Sequence, residues 1–92
     1  MFVSLSIMQP NAGYEQETID SMHRFSEAAR SQPGLQLVTT LRHEELRKLF
    51  GIAIWESEEA AAAASEVARA AVANDDVETW VADMDNYRLR EV

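Results

Sequence analysis

Apolar and polar residues alternate from Phe2 to Gln9, with Val3, Leu5 and Ile7 on one side and Phe2, Ser4, Ser6 and Met8 on the other. A period of two with β-branched content predicts a strand, ended by Pro10, Asn11 and Gly13. From Tyr14 the period lengthens. Tyr14, Thr18, Met22, Phe25 and Ala29 recur every three or four residues, with Ile19 and Ala28 beside them. Glu15, Asp20, Arg24, Glu27 and Arg30 lie opposite, so this stretch predicts an amphipathic helix closed by Pro33-Gly34. Leu35 to Arg42 alternates again, with Leu35, Leu37, Thr39 and Leu41 on one face. After the charged link His43 to Lys48, a third strand carries Phe50, Ile52 and Ile54 on one side and Leu49, Gly51, Ala53 and Trp55 on the other. Two strands joined by a short polar link are antiparallel neighbours.

Ser57 suits a helix N-cap, and Glu58 and Glu59 follow where the helix dipole favours anions. Those carboxylates, with Glu56, read as a solvated helix start rather than an acid/base pair. The run Ala60 to Ala64 has high helix propensity. Ala60, Ala64, Val67 and Ala71 are the expected buried stripe, shallow enough to let the helix approach a sheet closely. Asn74 and Asp75 read as a break and a new cap. Val77, Trp80, Val81 and Met84 read as a short helical extension, and Tyr87 to Val92 as the closing strand.

The resulting order is a ferredoxin-like βαββαβ unit of the α+β class. Right-handed crossovers place both helices on one face of a four-stranded antiparallel sheet. The face expected to point away from them holds Phe2, Met8, Val38, Leu49, Trp55 and Val92, with Ser4, Ser6, Thr40, Gly51 and Ala53 among them. That set is too apolar for a solvated sheet face. A second copy of the chain is expected to cover it, burying roughly 800 Å² per partner. The competing reading is a scatter of ordinary surface hydrophobes.

Composition narrows the partners. Ninety-two residues, 47% apolar and 26% charged, make one globular domain, residues 1–92. Sixteen acidic against eight basic side chains give a net charge of −8, which disfavours nucleic acid and anionic membrane surfaces. The densest basic group, Arg42, Arg47 and Lys48, is interleaved with Glu44 and Glu45. There is no cysteine, hence no disulfide, thiolate metal site or Cys nucleophile. Gly13, Gly34 and Gly51 form no phosphate-binding loop. His43-Glu44-Glu45 lacks the second histidine of a metalloprotease motif, so no metal is expected. The start, MFVSLSIMQP, has neither the basic beginning nor the long apolar core of a signal peptide, and no apolar run approaches roughly 20 residues. A cytoplasmic location is expected.

The combination of Pro33-Gly34 opening PGLQLV, a strand ending in Trp55, and Trp55-Glu56-Ser57-Glu58-Glu59-Ala60 leading into the second helix resembles the dimeric α/β-barrel superfamily. Its antibiotic biosynthesis monooxygenase-like branch is the nearest, and the closing strand Tyr87-Arg88-Leu89-Arg90-Glu91-Val92 falls at the spacing usual there. The resemblance implies two four-stranded sheets closing into a barrel, with helices outside and a ligand cavity in each protomer between helices and sheet. Relatives of this kind include cofactor-free oxygenases of polycyclic aromatic polyketides, haem-degrading enzymes and quinol oxygenases. The haem-degrading members use an Asn on the first strand and a Trp and a His on the second helix. Here Phe2 to Gln9 contains no Asn, and residues 58–73 contain neither Trp nor His. Of the polar and aromatic groups used by cofactor-free oxygenases, Trp55 alone matches a motif position.

Two functions remain open on these grounds. One is a monooxygenase-like enzyme acting on an aromatic or quinone-like molecule with no cofactor. The other is a non-catalytic dimeric module of the same fold that binds a ligand, regulates or serves as structure. The candidate pocket residues are Trp55, His23, Met22, Phe25, Tyr14 and Trp80, with Met84 beside them. Trp55 could stack on a planar ligand or serve as an ordinary core aromatic. His23 is a candidate general base, because imidazole changes charge near neutral pH, or simply a surface side chain. The remaining apolar residues describe a pocket wall and a filled core equally well.

Overall fold

A computed structural model describes all 92 residues. The alternating segments become one antiparallel sheet built from β1 (Phe2–Pro10), β2 (Leu35–His43), β3 (Lys48–Trp55) and β4 (Val81–Arg90), in the order β2-β3-β1-β4. The helices are α1 (Glu15–Arg30), α2 (Glu58–Ala71) and the single turn α3 (Val77–Trp80). This is the ferredoxin-like α+β order expected from the periodicities. Leu5 at the centre of β1 is opposite Ile52 of β3 on one side and Tyr87 of β4 on the other. No helix is long and apolar enough to cross a membrane.

Local chemistry accounts for the element ends. The Ser57 hydroxyl accepts from the Ala60 N–H at 3.1 Å and starts α2. After α1, Gly34 turns the chain at φ +87°, a conformation that costs glycine little. Its carbonyl accepts from the Glu56 N–H at 2.8 Å, and a Cβ added there would lie 2.8 Å from that of Ala60. The Pro-Gly turn and the start of α2, distant in sequence, are thus one packed joint. In the four-residue β2–β3 turn, His43 Nδ1 accepts from the Leu46 N–H at 3.1 Å, and Arg47 takes a left-handed φ of 55°.

The structure reverses the expected assignment of sheet faces. Phe2, Ala53 and Trp55 do not face away from the helices; they pack with Ala29, Ala61 and Ala64 as the core, and Val38 packs against them. Leu49, two positions along the same face from Gly51, is 1% exposed, and Gly51 lies under Met22. The open face is the other one, carrying Val3, Leu5, Ile7, Leu37, Leu41, Phe50, Ile52, Ile54, Tyr87 and Leu89. Alternation states which residues share a face, whereas loop length and crossover hand decide which face receives the helices. Val92 lies beyond β4 and is exposed.

Three local expectations are corrected as well. The buried stripe of α2 is Ala61, Ala64 and Ala68, while Val67 is 44% exposed. A run of alanines carries no periodicity, so its inner face is invisible in sequence. Val81 and Met84 belong to β4 rather than to a helix, because pairing with β1 continues from Phe2 opposite Arg90 to Pro10 opposite Val81. The cap of α3 is Asp76, which accepts from the Thr79 N–H at 3.3 Å. Asp75 instead reaches back to α1.

Candidate functional site

Small side chains on both sides of the helix–sheet contact leave space between them. The inner face of the sheet presents Ser4, Ser6, Thr40, Gly51 and Ala53, and α2 presents alanines. Together they leave a cavity of about 390 Å³, bounded by the inner face, α1 and α2. Met22 and Phe25 enter its lining from α1, Trp55 from the end of β3 and Met84 from β4. The Met22 methyl group stands so near Gly51 that a Cβ there would meet it at 3.2 Å. Any side chain at Gly51 would therefore displace Met22 or fill the cavity.

The polar part of the lining is small. Asn86 and Arg88 follow Met84 at two-residue intervals along β4, so all three share the inner face. The Ser6 hydroxyl donates to Asn86 Oδ1 at 2.8 Å across the β1–β4 pair, which leaves the Asn86 amide N–H groups as donors. Arg69, from the last turn of α2, and Ser26, buried on α1, complete the set with Ser65, whose hydroxyl donates to the Ala61 carbonyl at 2.8 Å.

Of the pocket candidates read from the sequence, Met22, Phe25 and Trp55 are brought together with Met84 in this lining. Tyr14, His23 and Trp80 are not part of it. Tyr14 precedes the first turn of α1, and its carbonyl accepts from the Thr18 hydroxyl at 2.8 Å. His23 is exposed on the solvent side of α1, and Trp80 closes α3, where its carbonyl accepts from the Asn11 N–H at 2.8 Å. Ser6, Asn86, Arg69 and Arg88 were not anticipated. The two-residue period Met84, Asn86, Arg88 was the available signal, obscured by assigning Met84 to a helix.

The one clearly displaced carboxyl lies outside the cavity. Asp75 accepts from the Ser21 hydroxyl at 2.6 Å and pairs with Arg24 Nη2 at 2.8 Å. The Ser21 hydrogen bond, followed by that from Arg24, holds its pKa below the ordinary 3.8. This cluster ties the α2–α3 connection to α1 and so fixes where β4 begins.

No family model matches the chain, and no curated protein matches it significantly. Solved structures do. A protein from Nitrosomonas europaea described as an antibiotic biosynthesis monooxygenase shares 14% identity at a TM-score of 0.76, covering 100% of this chain and 99% of that one. SnoaB from Streptomyces nogalater, a cofactor-independent oxygenase, shares 15% identity at a TM-score of 0.75, covering 99% of this chain and 92% of its own. A variant of MhuD with two manganese protoporphyrin IX molecules per active site shares 21% identity at a TM-score of 0.77, covering 100% and 95%. The chain therefore has the ferredoxin-like fold of the antibiotic biosynthesis monooxygenase-type proteins.

Proposed function

We propose that the chain is a homodimer whose protomers each hold a planar aromatic or quinone-like molecule in the inner cavity and oxidise it with dioxygen, without a cofactor. The cavity carries this reading. It has apolar walls from Met22, Phe25, Trp55 and Met84 and a few polar side chains, Asn86 among them, the usual composition of a small-molecule site. Such a site orients its ligand and keeps water from a reactive intermediate. The lining offers no Asp, Glu, His, Lys or Cys to take a proton. A substrate suited to it must give up its proton to solvent, as the weakly acidic quinols and anthrones can. Haem fits this lining poorly: histidine and cysteine are absent, methionine serves mainly beside a histidine, and the one tyrosine, Tyr87, sits at a strand position on the open face.

The homodimer rests on the open sheet face. Leu37, Leu41, Tyr87 and Leu89 are each about half exposed there, and the centre of the face is continuous aliphatic surface. A second copy is its natural cover, since a two-fold axis can bring the apolar centre of this face onto itself while Asp83 and Asp85 of β4 and Lys48 of β3 stay at its margin. Light scattering tests this part: twice the 10.3 kDa chain mass is expected, and a monomer would refute it.

Oxygen uptake by the purified protein with a panel of quinols and anthrones tests the activity. Uptake that falls when Trp55 is replaced by Phe, with the melting temperature little changed, is the expected result. The absence of a protein base favours one further reading, a ligand-binding dimer without catalysis. Saturable binding of these compounds with no oxygen uptake would establish that reading instead.

A further inference from the structure

The charged residues of the open face lie toward one end of it, and their signs are sorted. The alternation that puts Ile52 and Tyr87 on this face also puts Lys48 of β3 there, with Asp83 and Asp85 of β4. His43 of β2 lies opposite Lys48; its Nδ1 is taken by the Leu46 N–H, so its Nε2 is left to donate. The opposite end is an uncharged row of Leu37, Ile54, Val3 and Leu89. Donors therefore occupy the β2–β3 side of one end, and carboxylates the β4 edge of the same end.

These groups have no counter-charge in their own chain. Every ion pair joins an arginine or the N-terminus to some other carboxylate, and Lys48, Asp83 and Asp85 take part in none. Strand order is the cause. Asp83 is opposite Gln9, and Gln9 follows Met8, the partner of Leu49, so β1 keeps Lys48 two strands away from Asp83. At about 4.8 Å per strand, their backbones are about 10 Å apart.

This sorting distinguishes the two ways in which a second copy can lie on the face. A two-fold axis between packed sheets can run across the strands or along them. An axis across the strands lays the charged end of each protomer on the uncharged row of its partner, desolvating the charges with nothing in exchange. An axis along the strands keeps like ends together and exchanges left for right. The β2–β3 side of one protomer then faces the β1–β4 side of its partner, and the donors meet the acidic edge twice over. Packed sheets lie about 10 Å apart, a gap that a lysine side chain and a carboxylate together span.

We propose that a second copy covers the open face with the two-fold axis along the strands, so that Lys48 and His43 of each protomer meet Asp83 and Asp85 of the partner subunit. The inference rests on the homodimer reading and adds its orientation.

Two full-length variants test it through charge alone. Lys48→Glu makes the charged end acidic throughout, and Asp83→Lys with Asp85→Lys makes it basic throughout. Each alone should dimerise about tenfold more weakly than wild type at about 0.05 M salt, measured by light scattering on dilution. Mixed in equal amounts, they should form the mixed dimer well above the half that random pairing gives, counted by native mass spectrometry. That excess should fade toward about 1 M salt. Asp83→Asn with Asp85→Asn, which adds no charge, should weaken the dimer by a smaller factor. Random mixing, or an Asn variant that dimerises as tightly as wild type, would overturn the orientation and leave the homodimer standing. A monomeric wild type would overturn both.

Discussion

The two faces of the sheet are built from different residues and meet different fates. The inner face carries Ser4, Ser6, Gly51 and Ala53 between the larger Phe2, Leu49 and Trp55. The open face carries Val3, Leu5, Ile7, Phe50, Ile52 and Ile54 with scarcely a small residue among them. A helix axis can settle close to the first because little projects from it, and the alanine stripe of α2 keeps the approach short. The same economy of side chains leaves a cavity behind. Branched and aromatic side chains cover the centre of the second face, with Asp83 and Asp85 toward one end, and that centre is suited to close packing against a matching sheet. Bulk therefore marks the face left open, and small residues mark the face that holds the helices and the cavity.

The largest effect should come from spoiling the open face. Ile54→Asp puts a charge amid Val3 and Leu37, where burial against another sheet would leave it uncompensated at a cost of about 3–5 kcal/mol. Light scattering should show a monomer that keeps its circular dichroism spectrum. An unchanged mass would mean that this face is not the interface. On the inner side, Trp55→Ala removes a core side chain and should cost about 3–5 kcal/mol in urea unfolding. The contrast between the two variants is informative: the first should lose association and keep folding, the second should lose folding stability.

Smaller effects probe how the covered side is held. Asp75→Asn removes the charge that Ser21 and Arg24 stabilise and should cost about 1–2 kcal/mol near neutral pH. Because the carboxyl is held below its ordinary 3.8 in the folded chain, its contribution is complete above that value and disappears as pH falls through the lower folded value. The gap between wild type and variant, measured by urea unfolding, should therefore close under acid conditions. A gap independent of pH would show that the effect is not electrostatic. The smallest loss, about 1 kcal/mol in the same measurement, is expected for Ser57→Ala, which removes the α2 cap.

Most of the architecture was legible in the chain. Alternation located β1, β2 and β3 within a residue or two, the three-to-four spacing located α1, and Ser57 marked the start of α2. Legibility failed where the pattern was absent or ambiguous. The alanine run of α2 could present any face inward, and Val77, Trp80, Val81 and Met84 satisfied a helical spacing by chance across the α3–β4 boundary. The second failure also hid the site: once β4 begins at Val81, Met84, Asn86 and Arg88 fall together at the cavity. Met22, Phe25 and Trp55 were identifiable as apolar residues on elements that meet. Nothing in their spacing distinguished a pocket wall from a filled core.

The sequence by itself determined the elements, their order and the grouping of strand residues into two sets, because backbone periodicity is local and each set must share an environment. Only the tertiary structure decided which set lies under the helices, since that depends on how the connections cross the sheet. It also decided where space remains, because a void is a difference between the volumes of residues brought together from β1, β3, α1 and α2. No single segment carries that quantity.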